Sequence, residues 1–142
     1  MLKFMITAAM TITLTVAALL LAPLKDNVYL FSMKNLSLHI IAPILAMIDF
    51  LMIDRGFEYK WKMTFLGFIL PLLYLAMTLL ISIKGVTYSN GTNFPYYFLN
   101  YREYGWFNLH GMPGVAWWIL IVAVMAFAVT YLLLAFKRTV IK

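Results

Sequence analysis

The chain contains no cysteine among its 142 residues. Disulfides, thiolate metal sites and a cysteine nucleophile are therefore excluded. Charge is scarce as well: Asp, Glu, Lys and Arg make up 11% of the residues, against about 25% in soluble domains. Acid is the scarcer sign, with 5 Asp+Glu against 11 Lys+Arg. Glycine is sparse, and no phosphate-binding glycine loop, Gly-x-Ser-x-Gly elbow or His-Glu-x-x-His pair occurs. The two histidines, His39 and His110, and the few acids show no metal-ligand spacing. Neither a metal nor a cofactor is expected.

What the chain has in abundance is apolar surface, with 65% hydrophobic residues. A soluble fold of this length cannot hide so much, so the expected solvent is lipid. The net charge of +6 would point to nucleic acid in a soluble protein. Here the cations stand at the ends of apolar runs, where membrane orientation accounts for them, and no nucleic-acid partner is expected.

Four runs are long enough to cross a lipid core, which takes about 20 helical residues: Phe4–Pro23, Leu36–Ile53, Met63–Ile83 and Val115–Phe136. A helix satisfies its own backbone in lipid, and the ten-residue alternation of a β-barrel is absent. The expectation is an all-α, polytopic transmembrane bundle of four helices forming one domain. The first run is too long for a signal peptide and lacks a clean cleavage site, so it reads as a retained helix. Lys3, Arg55, Lys60, Lys62, Lys137, Arg138 and Lys142 fall on one side; Lys25, Lys34, Lys84 and Arg102 fall on the other. That bias places both termini in the cytoplasm.

The link from Lys84 to Gly114 then lies outside. It carries nine aromatics, among them Phe94, Tyr97, Phe98 and Trp106, and is expected to lie on the membrane surface or fold over the bundle mouth, with Pro95 among its lipid- or loop-contact residues. Asn90-Gly91-Thr92 fits a glycosylation acceptor but reads first as a turn, and Asn35 reads as a helix N-cap.

Polar residues inside the runs follow helical spacing. Thr7, Thr11 and Thr15 form one stripe; Tyr74, Thr78 and Ser82 form another. Small and hydroxylated residues serve helix–helix packing in lipid; the functional alternative is a polar-lined cavity for a lipid headgroup or ester. His39 and Asp49 share the second run. They lie ten residues and about 15 Å apart by helix rise, so each needs partners from other helices. An acid near mid-membrane costs about 2.5–3.5 kcal/mol on insertion scales; Asp49 is expected to face the bundle interior, either neutral or bonded to hydroxyls such as those of the stripes, as a functional group or as a polar knot that fixes helix packing. Imidazole shuttles protons near neutral pH, which makes His39 the candidate site residue. Pro43, four residues on, frees a carbonyl beside it. His110 reads as a loop histidine, and Asp54 as an interfacial charge.

The segment with Asn35, His39, Pro43 and Asp49, the helix from Gly67 to Thr78, the element Phe94-Pro95-Tyr96-Tyr97-Phe98-Leu99-Asn100 and the pair Gly105-Trp106 resemble a bacterial family of six-helix membrane proteins. More distantly they resemble the eukaryotic androgen-induced membrane proteins, some of which are threonine hydrolases of fatty-acid esters of hydroxy fatty acids. The resemblance implies a multi-pass protein of the bacterial plasma membrane, with His39 in the place of the catalytic histidine and Asp49 as the acid beyond it. Pro95, Phe98 and Leu99 match the aromatic motif before the last helix. The chain departs from the family in having four helices rather than six. The part lacking corresponds to the N-terminal pair that carries the catalytic threonine, and Thr7, Thr11 and Thr15 inherit no such role. Its proline is also one residue closer to the histidine than in the eukaryotic pattern.

Three functions follow as expectations. One is a lipid-ester hydrolase or its remnant, with His39 activating Thr78, Ser82, Tyr74 or a water, and with Asn35 and Asp49 as polar support. Another is a non-catalytic protein that binds lipid or a partner through the aromatic loop. The third is an oligomeric small-molecule transporter. Membrane lipid is the expected partner, together with a homo-oligomer or the missing helices.

Overall fold

The computed structural model describes residues 1–53, 60–88 and 91–140. Asp54, Arg55, Asn90 and Lys142 fall outside the described residues, and with them the readings of an interfacial acid, an Asn-Gly turn and two of the orienting cations. The described residues are helical, with no strand among them. Four helices are long and apolar enough to cross a membrane: α1 (Leu2–Leu24), α2 (Met33–Ile53), α3 (Trp61–Ile83) and α4, whose span is Val115–Thr139.

The helices start and wind as their sequences dictate. Ser32, not Asn35, caps α2: its hydroxyl accepts from the Asn35 N–H at 3.3 Å, which settles one orphan donor of the first turn. Asn35 is buried inside the helix and donates its amide Nδ2 to the Leu30 carbonyl at 2.9 Å. The N-cap expectation fails because a Ser lies three residues upstream, where the chain actually turns. Beyond the cap, residues Ser37–Ile41 take a π-helical turn, with the Ala42 N–H reaching back to the Ser37 carbonyl. Pro43 has no N–H with which to hold the regular ladder here, and the widened turn carries His39.

By contact the chain divides into two compact units, residues 1–70 with 125–142, and residues 71–124. The core of the first unit is Phe4, Ala8, Phe50, Leu133 and Leu134, with the Phe4 and Phe50 rings 5.8 Å apart. Lipid gives helices no hydrophobic reason to associate, so close van der Waals approach has to. The start of α3 supplies it. Trp61–Phe68 winds as a 3₁₀-helix, in which residues three apart eclipse one another. Phe65 and Phe68 therefore share a ridge, and both rings meet Phe127 of α4, at 6.2 and 6.4 Å. Trp61, Thr64 and Gly67 form the next ridge. Trp61 stacks on Tyr131 at 4.6 Å, Thr64 is buried, and Gly67 abuts both α1 and α4. A Cβ on Gly67 would stand 2.3 Å from Thr130 Cγ2 and 3.2 Å from the Ala8 Cβ.

The Gly67→Ala chain is therefore expected to lose about 1–3 kcal/mol through overpacking. Thr130→Ser removes the colliding methyl and keeps the hydroxyl bonds to the Ala126 and Phe127 carbonyls. The double variant is expected to recover most of the loss. Unfolding midpoints of the four proteins in one detergent check this, and additive effects would refute the close approach.

Candidate functional site

In the first unit the hydroxyls of Thr11, Thr13, Thr15 and Thr130 are committed to their own helices. Thr11 donates to the Thr7 carbonyl and Thr15 to the Thr11 carbonyl, each at 2.8 Å, and Thr130 is bound as above. Such bonds to the preceding turn are the usual fate of a helical hydroxyl with no other partner. The α1 stripe thus presents largely methyl groups to its neighbours.

Charges in this unit gather where α2 ends. Asp49 lies one turn before the end of α2, and its carboxylate pairs with the Lys3 ammonium at 3.0 Å. The expectation of a mid-membrane acid bonded to hydroxyls is corrected here. The carboxylate lies within one turn of the span's end, where the first turn of α1 offers a cation, and both side chains are partly exposed. The next two residues, Phe50 and Leu51, are tied to α4. Lys137 is fully buried. Its ammonium donates to the Phe50 carbonyl and, at 3.0 Å, to the Leu51 carbonyl, and it lies 5.3 Å from the centre of the Phe50 ring. An ammonium shut away from water needs such carbonyl acceptors in place of it. A lysine just past an apolar run ordinarily reads as snorkelling to the interface, so its burial had no sequence signal.

His39 is half-buried on the π-turn, and its Nδ1 is sealed from solvent with no hydrogen bond. His110 is exposed, and only its backbone bonds, to Asn108.

The second unit behaves differently. Thr78 is 1% exposed and Ser82 0% exposed, one turn apart on one face of α3. Neither hydroxyl has a hydrogen-bond partner, and neither does the buried Trp118 indole N–H on α4. Native proteins rarely leave such groups unsatisfied. Tyr74, the third member of the stripe, is 44% exposed. Its hydroxyl lies 3.4 Å from that of Tyr96. From there a chain of rings crosses the loop: Tyr96 stacks on Phe98 at 5.3 Å, and Phe98 and Tyr97 flank Trp118 at 5.8 and 5.9 Å. Phe94, Phe98 and Leu99 are buried, Pro95 is half-buried, and Trp106 stays exposed. Burial raises the Tyr97 phenol above its ordinary value. The hydrogen bond and charge of Glu103, with some burial, raise Tyr104. Both phenols therefore remain neutral through the physiological range.

The loop is fixed to α4 by backbone bonds. Val115 and Ala116 donate their N–H groups to the Gly105 and Trp106 carbonyls at 3.0 and 2.9 Å, so the loop caps the start of the helix. Gly114 makes this approach possible, since a Cβ there would lie 2.6 Å from the Trp106 carbonyl oxygen. The aromatic segment thus forms a folded cap over the Trp118 end of α4. The Thr78 and Ser82 stripe was visible in the sequence, whereas nothing there marked Trp118, near the start of an apolar run, as a buried donor.

No group of three or more potential metal ligands occurs among the described residues. Comparison with protein-family models, with curated proteins and with solved structures finds no match.

Lys137→Met is expected to lose about 1.5–3 kcal/mol, the scale of hydrogen bonds from a charged donor. Asp49→Asn, which breaks a partly exposed pair, is expected to lose less than about 1 kcal/mol. Denaturant titrations of the two variants in the same detergent test the ranking; equal losses would contradict it.

Proposed function

We propose that the chain is a multi-pass protein of the bacterial plasma membrane, with both termini on the cytoplasmic face, whose 71–124 unit binds the polar group of a lipid beneath its aromatic cap. Four helices long and apolar enough to cross a membrane support the setting, and the bias of Lys and Arg between the two sides supports the orientation. The observation that carries the binding reading is the set of buried, unbonded donors: Thr78 Oγ1, Ser82 Oγ and Trp118 Nε1. The hydroxyls of Thr11, Thr15 and Thr130, by contrast, bond to the preceding turn. Donors left unsatisfied in a chain surrounded by lipid suit an acceptor that lipid itself provides, an ester carbonyl or a headgroup oxygen. The Tyr97 and Phe98 rings, which flank Trp118, would exclude water from a bond to its indole N–H and strengthen it.

The test is native mass spectrometry of the protein taken from membranes in mild detergent. The unchanged chain is expected to carry a lipid adduct. Thr78→Val with Ser82→Ala is expected to retain about 30-fold less, since each of the two lost hydrogen bonds contributes about 1 kcal/mol. The lipid-free variant is expected to be no less stable than the parent, because an unbonded buried hydroxyl stabilises nothing. Equal adduct in both proteins would refute the reading.

A second reading is a lipid-ester hydrolase, as the family resemblance implies. It draws support from His39, a half-buried imidazole whose Nδ1 has no hydrogen-bond partner and which is of the type that serves as a general base. The purified chain would then cleave fluorescent acyl esters, and His39→Ala would lower the rate about 100-fold or more. Activity indifferent to His39→Ala, or no activity, excludes this reading and leaves the binding reading untouched.

A further inference from the structure

The stretch without Asp, Glu, Lys or Arg does not stop where α4 starts. It runs from Tyr104 to Phe136, whereas the span begins at Val115. Residues 106–112 are therefore as free of such charge as the helix they precede, and they are exposed throughout. Phe107 is 75% and Leu109 68% exposed, and Trp106 and Met112 are open as well. The same link buries Phe94, Phe98 and Leu99 where it folds on itself. Apolar side chains left in the open together mark a contact surface.

The backbone of this segment points to what covers it. The Gly105, Trp106 and Asn108 carbonyls accept from the N–H groups of Val115, Ala116 and Gly114 at 3.0, 2.9 and 2.8 Å. The Phe107 carbonyl accepts from the Trp117 indole at 3.4 Å. The Asn108 side chain closes the turn: it accepts from the His110 N–H at 3.0 Å and donates to the His110 carbonyl at 3.2 Å. In water such carbonyls need no protein donor. At membrane depth, irregular backbone is tolerated where its polar groups are met within the protein. The bonds also fix the height of the segment, because Val115, Ala116 and Trp117 belong to the first turn of α4. Trp117 and Trp118 favour the headgroup level. His110, the titratable side chain of the segment, joins an apolar body to a polar tip and suits the same level.

We infer that Phe107, Leu109 and Met112 insert into the headgroup–acyl boundary of the leaflet where α4 begins, and so anchor the aromatic cap on lipid. Attachment to a membrane span, absence of charge and a bonded backbone all favour lipid as the partner. The inference rests on α4 crossing the membrane and does not depend on the Thr78–Ser82 donors.

The chain has no cysteine, so a single introduced cysteine carries a spin label to a chosen site. Full-length chains with Phe107→Cys, Leu109→Cys, Leu120→Cys or Arg102→Cys, all at exposed positions, are placed in phosphatidylcholine vesicles. Label depth is read from collisions with oxygen and with a water-soluble nickel complex. Leu120, on α4, serves as the lipid reference and Arg102, on the cap, as the water reference. Labels at Phe107 and Leu109 are expected about 5–10 Å into the boundary. Adding Leu109→Asp is expected to bring the Phe107 label out to water and to leave the Leu120 label at its depth, which separates loss of the anchor from loss of the fold. Adding Leu109→Met to the Phe107 label is expected to change nothing. A Leu109 label in water beside a Leu120 label in lipid would overturn the inference and keep the span; both in water would overturn both. Spin–spin broadening between copies at Leu109, without lipid depth, would assign the surface to a second copy and overturn the inference too.

Discussion

The hydrocarbon core of a membrane offers a polar group nothing to bond to, and much of this chain is arranged around that lack. Backbone groups are met within helices. Hydroxyls on α1 and α4 turn back onto their own carbonyls. The Phe50 and Leu51 carbonyls of α2 accept from a lysine that α4 carries into the interior. The same lack makes exceptions informative. A hydroxyl that stays unbonded in water has a solvent at hand, whereas Thr78 and Ser82, shut away inside a chain surrounded by lipid, have none.

Since apolar burial does not drive these helices together, shape does. The 3₁₀ stretch at the start of α3 aligns residues three apart, so one ridge gathers Phe65 and Phe68 against Phe127 while the next brings Gly67 onto Thr130 and Ala8. An ordinary α-turn would split these ridges across a wider face. The local winding therefore sets which residues must be small and which must be aromatic.

The broad architecture was legible because length and apolarity are sufficient to specify a span: each of the four runs lies within one of the observed helices apart from small shifts at the ends. Details failed where tertiary partners decide. Asn35 looked like a cap because the apolar run begins after it, but Ser32 stands where the chain turns. Asp49 looked like a mid-span acid because its run continues to Ile53, but the reach of Lys3 makes it an end-of-span pair. Lys137 gave no sign of burial, since nothing in its neighbours announces the two carbonyls of another helix. The Thr78–Ser82 spacing was visible; that both hydroxyls would stay unbonded was not, because every helical hydroxyl has a carbonyl four residues back.

Neutral donors in the unit that carries the aromatic cap suit an uncharged or partly charged oxygen, and that reading is open to direct test. A high-resolution structure of the chain determined in lipid is predicted to show a lipid oxygen within about 3 Å of both the Thr78 and the Ser82 hydroxyl, under Tyr97, Phe98 and Trp118. Both hydroxyls turned instead onto the carbonyls of Tyr74 and Thr78, with acyl chains alone nearby, would contradict it.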